Sequence, residues 1–102
     1  SILTPTTHDD STHVYHHYPI QINTGDRELF RAVLREHGVD TGVHYDRAMH
    51  EHPAIREYGE DTTAPIAESF CERTAYLPMH PRLSIAQVKG VVETIKQYDA
   101  EV

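Results

Sequence analysis

The stretch HVYHHYPIQINTGDRELFRAVLREHGVDTGVHY, residues 13–45, decides the fold. Over HVYHHYPIQI the side chains alternate: Val14, His16, Tyr18, Ile20 and Ile22 fall on one face, His13, Tyr15, His17 and Gln21 on the other. A period of two with one apolar face marks a half-buried strand. Pro19 has no N–H for a ladder, which predicts an edge position or a bulge there. NTGDRELFRAVLREHG then switches to a helical period. Asp26 is placed to cap this helix, Glu28 sits in its first turn, and Gly38 stops it. Leu29, Phe30, Val33 and Leu34 form the apolar stripe, and His37 continues it. VDTGVHY alternates again, with Val39, Thr41, Val43 and Tyr45 on one face and Asp40, Gly42 and His44 on the other. Strand, helix and strand on short connections predict a single sheet.

Downstream, HPAIREYG reads as a short helix started by Pro53 and stopped by Gly59. DTTAPIAESFCERTAYLPM reads as a helix capped by Thr62 or Thr63, with Ile66, Ala67, Phe70 and Cys71 facing inward. Its apolar exit, AYLPM, is a candidate third strand. SIAQVKGVVETIKQY is the last helix. Ser84 and Gln87 form an S-x-x-Q capping box, and Ile85, Val88, Val91, Val92 and Ile95 form the stripe expected to be buried. Gly90 costs this helix about 1 kcal/mol relative to Ala, which predicts that another backbone approaches there. Residues 1–12 are polar and unpatterned and read as a flexible lead-in to a domain over 13–102. The fold class is α+β: a small antiparallel sheet of about three strands with helices packed against it.

A chain of 102 residues is one ordinary domain, able to bury roughly 65% of its unfolded surface without metal or disulfide staples. Acidic residues outnumber Lys and Arg 16 to 9, for a formal charge of −7. Such a balance excludes a nucleic-acid partner, which needs clustered cations. Cys71 is the only cysteine, so no intrachain disulfide forms and a reducing compartment, the cytoplasm, is the expectation. No apolar run approaches the roughly 20 residues of a membrane span, and SILTPTTHDD lacks the charged and apolar regions of a signal peptide. The chain opens on Ser1 rather than Met. That start suits a piece of something longer, and processing or tag removal would leave the same one.

The chemistry candidates centre on histidine. His13-x-x-His16-His17 and His50-x-His52 offer metal-ligand types, yet on a strand only His13 and His17 share a face. No Cys pair or HExxH helix accompanies them, so no metal site is expected; histidines titrating near neutrality are the plainer reading. Cys71 lies on an apolar helix face, where a thiol is inert. Ser69 has no motif around it, and Asp9/Asp10 and Glu60/Asp61 fall in polar linkers. Lys89 and Lys96, the only lysines, lie on the outward arc of the last helix, where an ammonium stays wet. No residue is expected to be catalytic. The segment after VDTGVHY differs in kind. His44, Tyr45, Arg47, His50 and His52 bring imidazole, phenol and guanidinium to a strand end, where polar ligands are received. A solvent-facing His44 and a packing Tyr45 explain the same residues equally well.

Four pieces in order carry a resemblance: the strand HVYHHYPIQI, the strand GVDTGVHY with a loop histidine after it, the turn LPMHP, and the final helix. From about His13 to Tyr98 the chain resembles the C-terminal small domain of the DegT/StrS-type sugar aminotransferases. These are fold-type-I enzymes that use pyridoxal 5′-phosphate to aminate keto-sugar nucleotides. The resemblance implies that His44, Tyr45 and His50 border the active-site cleft and help hold the sugar nucleotide. His80, in LPMHP, matches a turn with a structural role. The loop departs from the family's usual HYPxPLH by reading HYDRAMH, which alters its shape and so its choice of substrate. The family's Schiff-base lysine, cofactor-phosphate contacts and pyridinium-pairing aspartate belong to a large domain that this chain lacks. The resemblance therefore implies no cofactor bound to this chain and no catalysis by it alone. Its implied partners are the large domain, the sugar nucleotide and, in the intact family, a second subunit. A free-standing interaction or regulatory module, or a His-rich metal-binding protein, are the alternative readings.

Overall fold

Ile20 and Ile22, two residues apart, are both 2% exposed, and the strand that carries them organises the sheet. A computed structural model describes residues 1–101; Val102, the last residue of the expected domain, lies outside them. The strands are β1 (Ile2–Leu3), β2 (Tyr18–Ile22) and β3 (Thr74–Leu77), antiparallel in the order β1-β2-β3. The helices are α1 (Arg27–Glu36), α2 (Pro65–Arg73) and α3 (Ile85–Glu101). The α+β architecture expected from the periodicities is the one observed, with three strands and three helices.

Several of the expected elements move. β2 begins at Tyr18, not His13. Tyr15 takes φ 50°, outside the β region, and its N–H donates to His13 Nδ1 at 2.8 Å. A side chain that captures a nearby backbone donor competes with the ladder, and Val14 is left 87% exposed. β2 is also central rather than an edge. Pro19 is tolerated because β1 pairs only with Gln21 and Ile22, so at Pro19 the strand is paired on β3's side alone. The lead-in contributes β1, which the absence of pattern over residues 1–12 had hidden. Two residues are too few to show a period.

VDTGVHY is not a strand. It meets the sheet at one bridge, Gly42 with Tyr76, through Gly42 N–H to Tyr76 O at 3.2 Å and Tyr76 N–H to Gly42 O at 2.9 Å. The third strand is instead TAYL, which overlaps the apolar exit AYLPM over Ala75–Leu77. HPAIREYG forms no α-helix; it contains one short 3-10 turn, Arg56–Tyr58, and another, Met49–Glu51, precedes it.

α1 is capped as its sequence dictates. Asp26 Oδ1 accepts from Glu28 N at 2.7 Å and Leu29 N at 3.1 Å, a cap worth about 1 kcal/mol. Gly38, at φ 79°, follows the helix in the left-handed conformation that glycine permits. Phe30 and Leu34 are fully buried while Leu29 faces solvent, so the stripe is narrower than its apolar letters. Arg27 reaches from the start of α1 to the carbonyls of Cys71 and Thr74, satisfying acceptors that the end of α2 leaves free.

α2 starts at Pro65 after Ala64, without a threonine side-chain cap, and Ile66 is 88% exposed rather than inward. α3 keeps its capping box: Ser84 N–H donates to Gln87 Oε1 at 2.8 Å and Gln87 N–H to Ser84 Oγ at 3.0 Å. Its stripe splits. Val91, Ile95 and Tyr98 pack on the core, whereas Ile85 faces solvent and Val88 and Val92 line a groove of about 430 Å³ with Leu77, Pro78 and Met79. Nothing approaches Gly90, so the close backbone expected there is absent. No helix among the described residues is long and apolar enough to cross a membrane.

The core joins Ile20, Ile22, Phe30, Leu34, Val39, Ala75 and Tyr98. Tyr98 lies edge-on to Phe30 at 5.1 Å between centroids, and its buried hydroxyl has no hydrogen-bond partner among the described residues. Burial, with Asp26 and Asp99 nearby, pushes its phenol above the ordinary tyrosine range. An orphaned buried hydroxyl costs about 1–3 kcal/mol. Tyr98→Phe is therefore expected to raise the urea midpoint at neutral pH by an amount equivalent to roughly 1 kcal/mol. It should also remove part of the stability loss above pH 10, where the unfolded phenol ionises and the folded one does not.

Candidate functional site

The register that buries Ala75 against the core turns its neighbour Tyr76 to the other face of the sheet. There Tyr76 is the floor of a cluster of rings. His17, at the foot of β2, lies 4.7 Å from Tyr76 and 4.7 Å from His44, and His44 lies 4.7 Å from Tyr76, nearly parallel at 22°. His16 adds a tilted contact to His17 at 4.3 Å, and Tyr45 stands edge-on to His44 at 5.1 Å and 88°. Tyr45 is 70% exposed, so its ring projects from the stack with His44 behind it. Offset and edge-on ring pairs each add roughly 0.5–1.5 kcal/mol beyond burial.

Gly42 explains how the stack closes. A Cβ there would overlap the Tyr76 ring, so only glycine lets the chain cross Tyr76 and deliver His44 to its far side. Alternation in VDTGVHY drew attention to this segment for the wrong reason. The informative letter was the glycine, which often marks a close approach inside a strand-like run.

His50 sits elsewhere, in a pocket of about 390 Å³ lined by Arg47, Arg56, Glu51, Glu60 and Glu68 among others. Its Nε2 is 3.0 Å from Glu68 Oε1 on α2. The structure thus brings His44 and Tyr45 into direct contact. Among the described residues no ring contact or hydrogen bond joins His50 to either. In the sequence His17 stood out only as a metal-ligand type, and Tyr76, Gly42 and Glu68 did not stand out at all. Only the spacing of tyrosine in TAYL, opposite the buried alanine, could have pointed to Tyr76.

The other histidines have plainer work. Nδ1 of His8, His13, His52 and His80 each accepts the N–H two residues on, at 3.3, 2.8, 3.2 and 3.2 Å. These imidazoles serve as turn formers, as asparagine does in Asx turns. His37 Nδ1 meets Val33 O at 2.9 Å at the end of α1. Neither lysine is set up for covalent chemistry. Lys89 and Lys96 are exposed on α3, and Lys96 lies 3.9 Å from Glu93. An ammonium kept wet on a helix surface is a poor Schiff-base amine, which has to be desolvated.

Burial among the rings, then the neighbouring His16 and His44, lowers the His17 imidazole below its ordinary 6.5. A folded value below the unfolded one means that the unfolded chain takes up the proton first. The stabilisation is complete above pH 6.5 and falls as pH drops through that value. NMR titration should place His17 below 6.5, and His17→Phe should flatten that part of the acid loss in thermal melts. Gly42→Ala is expected to expel the Tyr76 ring, abolish its ring-current shifts on His44, and lower stability by about 1–3 kcal/mol from overpacking.

The profile of the DegT/DnrJ/EryC1/StrS aminotransferase family matches residues 1–96. The chain is 32% identical over 94 residues to a dTDP-3-amino-3,6-dideoxy-alpha-D-galactopyranose transaminase of Aneurinibacillus thermoaerophilus, covering 92% of this chain and 25% of that protein. It is 32% identical over 88 residues to a UDP-2-acetamido-2-deoxy-3-oxo-D-glucuronate aminotransferase of Pseudomonas aeruginosa, covering 86% and 23%. The solved structure of Streptomyces venezuelae DesV superposes with a TM-score of 0.84 at 30% identity, over 95% of this chain and 26% of that one. The chain spans about a quarter of the length of the curated relatives it matches. It belongs to the DegT/DnrJ/EryC1/StrS aminotransferase family.

Proposed function

We propose that this chain is the C-terminal small domain of a sugar-nucleotide aminotransferase and forms the substrate side of its active-site cleft. His44, Tyr45 and His50 are the residues that meet the sugar nucleotide. The observation that carries the reading is the exposed Tyr45 ring with His44 behind it, in a chain that matches this family over residues 1–96. A phenol that projects into solvent while its backing ring is packed loses little freedom on binding. It offers a face to a sugar ring and a hydroxyl to a phosphate or carbonyl oxygen. The relatives' names, one a dTDP-sugar transaminase and the other a UDP-sugar aminotransferase, support a nucleoside diphosphate sugar as the substrate class.

Pyridoxal 5′-phosphate belongs, in this reading, to the remainder of the longer protein, and this chain orients the substrate beside it. The chain alone neither holds the cofactor nor transfers an amino group. The intact enzyme is a homodimer working in the cytoplasm, where a lone cysteine stays reduced. The free-standing interaction module is not favoured, because the family match runs through nearly the whole chain.

In the full-length protein, Tyr45→Ala is expected to raise KM for the sugar nucleotide about tenfold, the equivalent of about 1.4 kcal/mol. The turnover number and the KM of the amino donor should stay within about twofold, the signature of lost ground-state binding. An unchanged sugar-nucleotide KM across Tyr45→Ala and His44→Ala would remove this wall from the cleft.

A further inference from the structure

Residues 43–63 run from the bridge at Gly42 to the approach of α2 with no strand or α-helix of their own. Their backbone bonds close short turns only: Glu51 N–H to Ala48 O at 3.0 Å, His52 to Met49 at 3.1 Å, Tyr58 to Ile55 at 3.0 Å and Thr62 to Gly59 at 2.9 Å. Each of these bonds lies inside the segment. Among the described residues, one side-chain hydrogen bond leaves it, His50 Nε2 to Glu68 Oε1 at 3.0 Å. Gly59 crowds His50 from the opposite side, where a Cβ would come within 3.0 Å of the His50 Cβ. Ala48, buried two residues earlier, donates its N–H to Glu51 Oε1 at 3.1 Å. The loop is thus folded on itself by local turns and pinned to α2 at a single polar point.

We propose that Glu68 is a positioning residue for substrate binding: through His50 it fixes the loop that carries Tyr45 and Arg47. The proposal rests on the reading of this loop as one wall of the substrate cleft. A long segment without secondary structure samples many arrangements, and affinity falls by the fraction of time spent in the competent one. The Glu68–His50 bond raises that fraction because it ties the loop to a helix already packed against the sheet. It also sets the imidazole, since an Nε2–H facing a carboxylate leaves Nδ1 free for another partner. The same groups have a second arrangement open to them. Ligand atoms of His50, Glu51 and Glu68 lie within 4.8 Å of one another. Yet Glu51 is committed to Ala48, Glu68 to His50, and Arg47 and Arg56 line the same pocket. Two guanidiniums beside the trio disfavour a cation and suit a brace.

The test uses the full-length protein. Glu68→Ala and His50→Ala should each raise the sugar-nucleotide KM about fivefold, and the double variant should be no worse than the worse single one. The turnover number and amino-donor KM should stay within about twofold, a split that general destabilisation would not give. Glu68→Gln, whose amide oxygen still accepts from Nε2–H, should recover most of the loss. Glu72→Gln, exposed on the same helix, should match the wild type. Where the alanine variant does not fold, Glu68→Leu keeps the bulk and removes the acceptor, with the same outcomes expected. A wild-type KM in the acceptor-free variant, or strictly additive losses, overturns the proposal. If Tyr45→Ala also leaves KM unchanged, the cleft reading itself fails; a Tyr45 effect without a Glu68 effect removes the brace alone.

Discussion

β2 is hydrogen-bonded on both sides, and its pairing with β3 fixes everything else. The register sets Ile20 against Ala75 and Pro19 against Tyr76. Because successive residues face opposite ways, the same pairing that buries Ala75 in the core delivers Tyr76 to the ring cluster. A slip of one residue would exchange the two faces, exposing the alanine's side of the core and burying a tyrosine in its place. Core and site are consequences of one register and cannot be altered independently.

That register builds a structure with one finished side. The radius of gyration is 15.5 Å, against about 13 Å for a compact chain of this length. Large apolar side chains at Ile66, Met49, Tyr58 and Ile85 face outward, and Val88 and Val92 open onto a groove instead of a neighbour. The two candidate places for a ligand are open as well: one is a projecting tyrosine and the other a shallow charged pocket, neither an enclosed cavity.

The sequence made the helices easier to find than the strands, for a physical reason. Asp26, Gly38, Ser84 and Gln87 act within a few residues of themselves, so their capping contacts are written locally and appear as expected. Strand pairing is not local. β1 is two residues long and has no visible period, and β3 was legible only as an apolar exit from a helix. VDTGVHY alternates as well as any strand, yet its backbone is held at a single bridge because Gly42 must let Tyr76 cross it. Among the candidate ligand residues, the spacing of His44 and Tyr45 fitted a ligand site and plain packing equally well, and the family resemblance singled them out. Glu68 was not legible, since nothing near it in the chain hints at a histidine eighteen residues earlier.

The histidines show why composition misleads about chemistry. The chain has nine, enough to suggest a metal protein, yet they fall into several different roles. Four accept a backbone N–H two residues on, one meets a helix carbonyl, and one is tied to a carboxylate. Only His16, His17 and His44 come together: His17 stacks on His44 at 21°, and His16 leans on His17 at 50°. Stacking points the ring faces at one another and sends the nitrogen lone pairs outward in the ring planes, whereas a metal needs those lone pairs converging on one point. The ring cluster is therefore built as a surface to be packed against. The same packing that keeps a cation out makes proton uptake by His17 unfavourable, first by burying its ring and then by setting two other imidazoles beside it.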